Sequence, residues 1–174
     1  QELDLYKRIA EASPTWVFVP HWSKIIEPQI WSEWEVVVFH MTDLPFGRGG
    51  SPLQNLIARG FTETVISAFR CTEGIDEGPI YMKVPLSLDG SAREIFDRAG
   101  SVIEEMIIRI VETHPVPIPQ SGNPTFFKRR LPEQSELDVK ECLTTWFDQI
   151  RMLDAPGYPK AYLDLADKHL KFSN

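Results

Sequence analysis

Two short, uninterrupted apolar runs, WVFV at 16–19 and VVVF at 36–39, constrain the fold more than anything else in the chain. A strand with one wet face alternates apolar and polar residues, whereas runs like these are expected for strands buried on both faces. Between them Ile25, Ile26, Ile30 and Trp31, with Pro28 near the start, predict a short helix. Before them Leu5, Ile9 and Ala12 share one side at helical spacing, and Ser13-Pro14 stops that helix because the residue before proline disfavours the helical region. The resulting order, helix, strand, helix, strand, predicts an α/β fold with a mostly parallel sheet and helical crossovers.

Downstream, Pro52, Leu53, Leu56 and Ile57 predict a helix that ends near Gly60. Segments 64–71 and 79–84 flank the turn-rich sequence GIDEG and are expected to pair antiparallel as strands. Residues 91–113 carry the clearest helical signal. Ser91 and Glu94 form a capping-box pair, and Ile95, Phe96, Ala99, Val102, Ile103, Met106, Ile107 and Ile110 make one apolar stripe. Residues 114–124 hold four prolines and a glycine, so they read as a linker or an ordered crossing loop. Beyond it, 139–153 is predicted as an amphipathic helix with Leu143, Trp146, Phe147, Ile150 and Leu153 inward, and 161–172 alternates as a hairpin does. The domain reading is 1–118 for the main core and 119–174 for a linker, a helix and the start of a C-terminal subdomain.

The chain has 174 residues, room for one packed core and a small appendage. A net charge of -7 argues against a broad nucleic-acid surface and favours a small-molecule substrate. Cys71 and Cys142 lie far apart without a metal-ligand pattern, so two buried free thiols are expected, with no disulfide and no metal site. No segment has the roughly 18–20 apolar residues of a membrane span, and no leader opens the chain, so no membrane partner is expected and the cytoplasm is the expected compartment.

Chemistry concentrates in FHMTDLPFGRGGSPLQ, residues 39–54, where a buried strand delivers His40 at its carboxyl end and a glycine-rich turn follows. In open parallel sheets the carboxyl ends of strands line the ligand crevice, so His40 is a catalytic candidate; its alternative is a hydrogen-bonded core imidazole. Gly47, Gly49 and Gly50 around Arg48 let backbone approach a ligand, and Arg48 is a candidate clamp for phosphate or carboxylate or, alternatively, a surface residue on a tight turn. Asp76 lies on the turn between Gly74 and Gly78 as a second catalytic candidate, although aspartate also suits turns for local reasons.

Taken together, HxTDLPxGRGGxP followed by EGIDEGPI resembles the N-formyltransferase family that uses 10-formyltetrahydrofolate. The later blocks FFKRRLPEQSELD and IRMLDAPGYPKAYL look most like its amino-sugar branch. The resemblance implies a Rossmann-like core, here lacking its first strands, with a small C-terminal α+β extension. It sets His40 and Asp76 at the family's catalytic histidine and aspartate, and Arg48 at the arginine of the same loop. It assigns His21, Trp22, Ser23 and Ile26 to the loop bordering the folate pocket, and Arg70, Glu73, Gly74 and Ile75 to the loop walling the pteridine ring. Val38 falls where the family has an asparagine that donates to the formyl oxygen, and valine has no such donor; Thr42, the backbone amides of the turn Gly47-Arg48-Gly49-Gly50 and protonated His40 are the candidate substitutes. The implied reaction takes 10-formyltetrahydrofolate as formyl donor, uses no metal, and formylates the amine of a nucleotide-linked amino sugar, with a homodimer possible. Methionyl-tRNA as acceptor, hinted only by Lys128-Arg129-Arg130, and a non-catalytic folate- or sugar-binding relative are the alternatives, tRNA being disfavoured by the acidic charge.

Overall fold

The computed structural model describes residues 2–173. In chain order the elements are α1 Glu2–Ala12, β1 Trp16–Val19, α2 Pro28–Glu33, β2 Glu35–His40, β3 Arg48–Gly49, α3 Pro52–Ile57, β4 Glu63–Arg70, β5 Ile80–Ser87, α4 Ala92–Thr113, β6 Phe126–Phe127, α5 Leu143–Arg151, β7 Ala161–Leu165 and β8 Lys168–Phe172. The main sheet has the order β1-β2-β4-β5. β1 and β2 are parallel, while β2–β4 and β4–β5 are antiparallel, so β1, β2 and β5 point one way and β4 alone is reversed. The expected mostly parallel sheet therefore holds for strand direction but not for neighbouring pairs. The physical reason lies in the connections: the turn between β4 and β5 is too short to hold a crossover helix, and a short return forces antiparallel pairing.

β2 is the central delivery strand. Val36 and Val37 are buried, as are Phe39 and His40, which fits the run of apolar residues. β1, expected to be buried on both faces, is half-buried along its length because it forms the edge of the described sheet. α4 matches its prediction closely: Ser91 accepts from the Glu94 amide, Glu94 accepts in return from the Ser91 amide at 2.8 Å, and Ile95, Ala99, Ile103, Met106 and Ile110 are buried against the sheet. Full burial of each such Ile or Met contributes on the order of 1.5–3 kcal/mol, so the stripe anchors the helix over its whole length.

Two helix faces depart from expectation. In α1, Leu5 is exposed and Ile9 only half-buried, and the helix touches the sheet layer through Tyr6, whose ring meets Trp34 edge-on at 5.5 Å. In α5, Leu143 and Phe147 face solvent, while Trp146 and Ile150 are half-buried and Leu153, just past the helix, is buried. The helix starts only after Cys142, so its short length lets one narrow stripe face inward rather than the broad face predicted from 139 onward.

Both thiols are free, but neither is buried: Cys71 is half-buried and Cys142 is exposed at the start of α5. The proline-rich stretch is an ordered crossing loop. Ile118 pairs with Ile80 through two backbone hydrogen bonds, and β6 adds to β3 in parallel. Phe127, Leu137, Met152, Leu153, Ala155, Ala161 and Leu163 join the same hydrophobic cluster as Val37, Ile66 and Ile103. Residues on both sides of position 118 thus share one core.

Candidate active site

β1 and β2 run parallel and end side by side, and a cavity of about 900 Å³ opens past their carboxyl ends. The loop after β1 contributes His21, Trp22, Ser23 and Ile26, and β2 contributes Val38 and His40. The glycine-rich turn adds Gly49 and Gly50, and the loop after β4 adds Glu73, Gly74, Ile75 and Asp76. Most residues singled out from sequence therefore converge on one space of ligand size.

His40 is 8% exposed, and its Nε2 lies 2.8 Å from the Gly47 carbonyl oxygen. A carbonyl only accepts, so Nε2 carries the proton and the neutral ring presents an unprotonated Nδ1. That Nδ1 stands 3.7 Å from Asp76 Oδ2, too far for a good hydrogen bond but close enough for the carboxylate to stabilise an imidazolium. Asp76 Oδ2 accepts from the Gly49 amide at 2.7 Å, which fixes the carboxylate beside the ring. Asp76 itself adopts φ +52°, a left-handed conformation that aspartate tolerates better than most residues.

The glycines have specific reasons. A Cβ on Gly49 would lie 2.5 Å from the Phe127 carbonyl oxygen, and its φ is +100°, so neither space nor backbone admits a side chain there. A Cβ on Gly78 would meet the Arg70 carbonyl at 1.7 Å, so only glycine allows the Asp76 loop to fold back so tightly.

Three predicted site residues do not reach the cavity. Arg48 is buried and donates from Nε and Nη2 to Gln120 Oε1 (3.3 and 2.8 Å) and from Nη1 to Glu77 Oε2 at 3.3 Å, so it braces loops instead of clamping an anion. Arg70 pairs with Glu35 at 2.8 Å on the sheet. Thr42 is fully buried and turns its hydroxyl toward the Gly47 carbonyl at 3.4 Å.

The substitute oxyanion donors are largely committed elsewhere. The Gly47 amide donates to Thr125 Oγ1, Arg48 to the Thr125 carbonyl, Gly49 to Asp76 and Gly50 to the Phe127 carbonyl. With Thr42 turned away too, His40 is the one of the named substitutes whose side chain still faces the cavity. Val38 lines the wall two residues before it.

Sequence reasoning missed part of the lining. Cys71, Phe96, Tyr158 and Gln54 border the cavity, and so do Arg129 and Arg130, which the sequence offers only as part of a basic cluster. Phe96 stacks on Tyr158 at 5.6 Å and meets His21 edge-on at 5.3 Å, so a core helix and the C-terminal segment close one end. Phe96 belongs to the apolar stripe of α4, and no periodicity separates a core aromatic from one at a cavity wall. Burial lowers the readiness of His21 to take a proton. The Cys71 thiol is pushed up to about 11 by burial and by the nearby Asp76 charge.

A solved structure of methionyl-tRNA formyltransferase from Clostridium thermocellum superposes with a TM-score of 0.94 at 48% identity, covering 97% of this chain and 75% of that one. The chain belongs to the formyltransferase family. The family model for the methionyl-tRNA formyltransferase C-terminal domain matches residues 132–174 of this formyltransferase chain. The methionyl-tRNA formyltransferase of Thermosipho melanesiensis is 27% identical over 155 residues, 87% of this chain and 51% of that protein, so the chain spans about half the length of the curated relatives it matches. A 4-N formyltransferase from Francisella tularensis has a TM-score of 0.78 at 12% identity, covers 99% of this chain and 82% of that one, and shows the shared fold alone. The blocks 126–138 and 150–163, expected to lean toward the amino-sugar branch, sit in a chain that is more similar to these methionyl-tRNA formyltransferases than to the sugar enzyme. The net charge of -7 averages the whole chain, whereas Arg129 and Arg130 stand at the cavity itself.

Proposed function

We propose that this formyltransferase chain moves a formyl group from 10-formyltetrahydrofolate to the amine of methionyl-tRNA. The observation that carries the reading is the His40–Asp76 pair at the wall of a ligand-sized cavity, in a chain 48% identical to a methionyl-tRNA formyltransferase structure. The cavity suits a flat folate, since exposed Trp22 and Ile75 offer apolar surface on the two loops that flank it. On this reading residues 1–118 hold the transferase core, and 119–174 supply a linker, a helix and the start of a C-terminal subdomain.

In the proposed step a neutral amine attacks the formyl carbon, the carbonyl oxygen becomes an oxyanion, and the amine proton passes to His40 Nδ1. Asp76 stabilises the imidazolium across 3.7 Å. His40 then returns the proton to the folate nitrogen as the C–N bond breaks, leaving tetrahydrofolate and the formylated amine. General acid–base help of this kind is worth about 10²- to 10⁴-fold. The geometry needs no metal for these proton transfers.

On the acceptor side, exposed Arg129 and half-buried Arg130 border the cavity beside Gly50 and Ser51. Burial and the neighbouring Arg59 charge hold Arg130 below its ordinary proton affinity, which an incoming phosphate would reverse. These residues favour a phosphate-bearing acceptor.

The test incubates the full-length protein with 10-formyltetrahydrofolate and, separately, methionyl-tRNA and nucleotide-linked amino sugars, following formylated product by mass. Formylated methionyl-tRNA is the expected result. Product from sugars alone would overturn the acceptor, and no turnover with either class would overturn formyl transfer.

A further inference from the structure

Gln120 sits in the proline-rich crossing loop, far in sequence from both glycine-rich segments, yet its amide joins them. Nε2 donates to the Asp76 carbonyl at 2.8 Å and to the Gly78 carbonyl at 2.9 Å. Oε1 accepts from Arg48 Nη2 at 2.8 Å and from Nε at 3.3 Å. Both protons and both lone pairs of the amide are therefore engaged, which fixes its orientation without ambiguity. Arg48 extends the brace to Glu77 at 3.3 Å.

We propose that Gln120 is a positioning residue that holds the Asp76 loop at the distance His40 requires. The bonds reach the backbone of Asp76 at its left-handed residue, and a non-glycine residue there is held only by its surroundings. The carboxylate end of Asp76 is held by the Gly49 amide, one residue from Arg48. Gln120 thus closes a ring: Arg48 to Gln120, Gln120 to the Asp76 backbone, Asp76 side chain to Gly49, and Gly49 back to Arg48 along the chain. Removing one member of such a ring frees the loop without emptying the core, because Gln120 is only half-buried. Its neighbours Ile118 and Pro119 are exposed, so this loop owes its place to polar contacts more than to packing.

The inference rests on the formyl-transfer reading for its catalytic consequence, and on geometry alone for its structural one. Gln120→Ala, Gln120→Glu and Gln120→Asn are compared with the unaltered full-length protein. Glutamate keeps the acceptor for Arg48 but supplies no amide donor to the two carbonyls, so it should behave like alanine. The expected result is a kcat lower by roughly 10- to 100-fold with KM for 10-formyltetrahydrofolate within about threefold, as for other residues that orient a reacting group. Asparagine, which keeps the donor and acceptor chemistry, should recover part of the loss.

Amide hydrogen exchange at 74–78 and at Gly49 should rise about tenfold or more in the alanine variant, with exchange in α4 unchanged. Unchanged exchange at 74–78 overturns the proposal even in a protein that turns over nothing. Faster exchange with an unaltered kcat overturns the catalytic part. Absence of turnover in the unaltered protein sinks the formyl-transfer reading instead, and the exchange arm still decides whether Gln120 positions the loop.

Discussion

Asp76 is tied more closely to Gly49 than to His40: its Oδ2 is 2.7 Å from the Gly49 amide and 3.7 Å from His40 Nδ1. The carboxylate is therefore a fixed charge beside the ring, not a direct hydrogen-bond partner in this state, and the two roles can be separated by substitution. Asp76→Asn keeps an acceptor for the Gly49 amide and removes the charge. Turnover should fall by at least about tenfold while the melting temperature stays within a few degrees, because the hydrogen bond survives. A large drop in melting temperature with turnover intact would mean the charge serves the loop and not the reaction.

His40→Ala should lower turnover by about 10²- to 10⁴-fold. It should also cost about 1–3 kcal/mol of stability, because the Gly47 carbonyl loses its short partner in a buried place and keeps only the long contact from Thr42. Denaturant melts read beside initial rates check both. Stability lost without loss of rate would mark a structural histidine.

Val38→Asn restores an amide donor two residues before His40 on the strand that lines the cavity. With the turn amides already engaged, a new donor aimed at the developing oxyanion should raise the single-turnover rate, up to roughly 10²- to 10³-fold if the geometry is ideal. An equal or slower rate would show that His40 already meets the need.

The two thiols should react very differently. Cys142 is exposed and its thiol is acidified first by the Thr145 hydroxyl and then by backbone amides at the start of α5. Cys71, raised from the ordinary 9.0 to about 11, holds about a hundredfold less thiolate at pH 8. Because its acidity is depressed, labelling should climb with pH all the way toward 11. Iodoacetamide with peptide mass mapping between pH 7 and 9 should find Cys142 modified first, and Asp76→Asn should speed Cys71. Equal rates for the two thiols would contradict the burial described.

Gly49→Ala should be severe, since the added Cβ would meet the Phe127 carbonyl and the backbone already lies at φ +100°. A stability loss of about 1–3 kcal/mol or more is expected, with turnover lost because the Asp76 anchor moves. Gly60→Ala serves as control: it shares a positive φ but has open space and lies outside the cavity lining, so it should lose stability and keep its rate. Parallel losses of rate in both would remove the argument for a specific role of Gly49.

How much of this was readable in the sequence depended on the range of the signal. β2, α4 and the β4–β5 hairpin were legible because a continuous apolar run, a capping box with its stripe, and a glycine-rich turn are local signals. His40 was legible for the same reason, since the strand and the turn that place it adjoin it in sequence. Arg48 was misplaced because a guanidinium on a glycine turn looks the same from sequence whether it meets a ligand or Gln120, which lies 72 positions away. Gln120 gave no signal at all, and Tyr158 gave none of its place at the cavity although its block carried the resemblance: a lone amide in a proline-rich loop and a tyrosine in an irregular segment gain meaning only from what folds against them. Net charge carries no position: the arginines at 129 and 130 border the cavity of a chain whose overall balance is -7.

Phe127 carries a further consequence. Its ring lies under the Arg59 guanidinium at 4.5 Å and meets Phe46 edge-on at 5.4 Å, while its carbonyl takes the Gly50 amide. The strip leading to Arg129 and Arg130 is thereby stitched to the backbone that steadies Asp76. That strip cannot be treated as an exchangeable cassette: grafting it from a relative would also replace a wall of the turn beside His40, so on the proposed acceptor reading acceptor choice and rate would be inherited together.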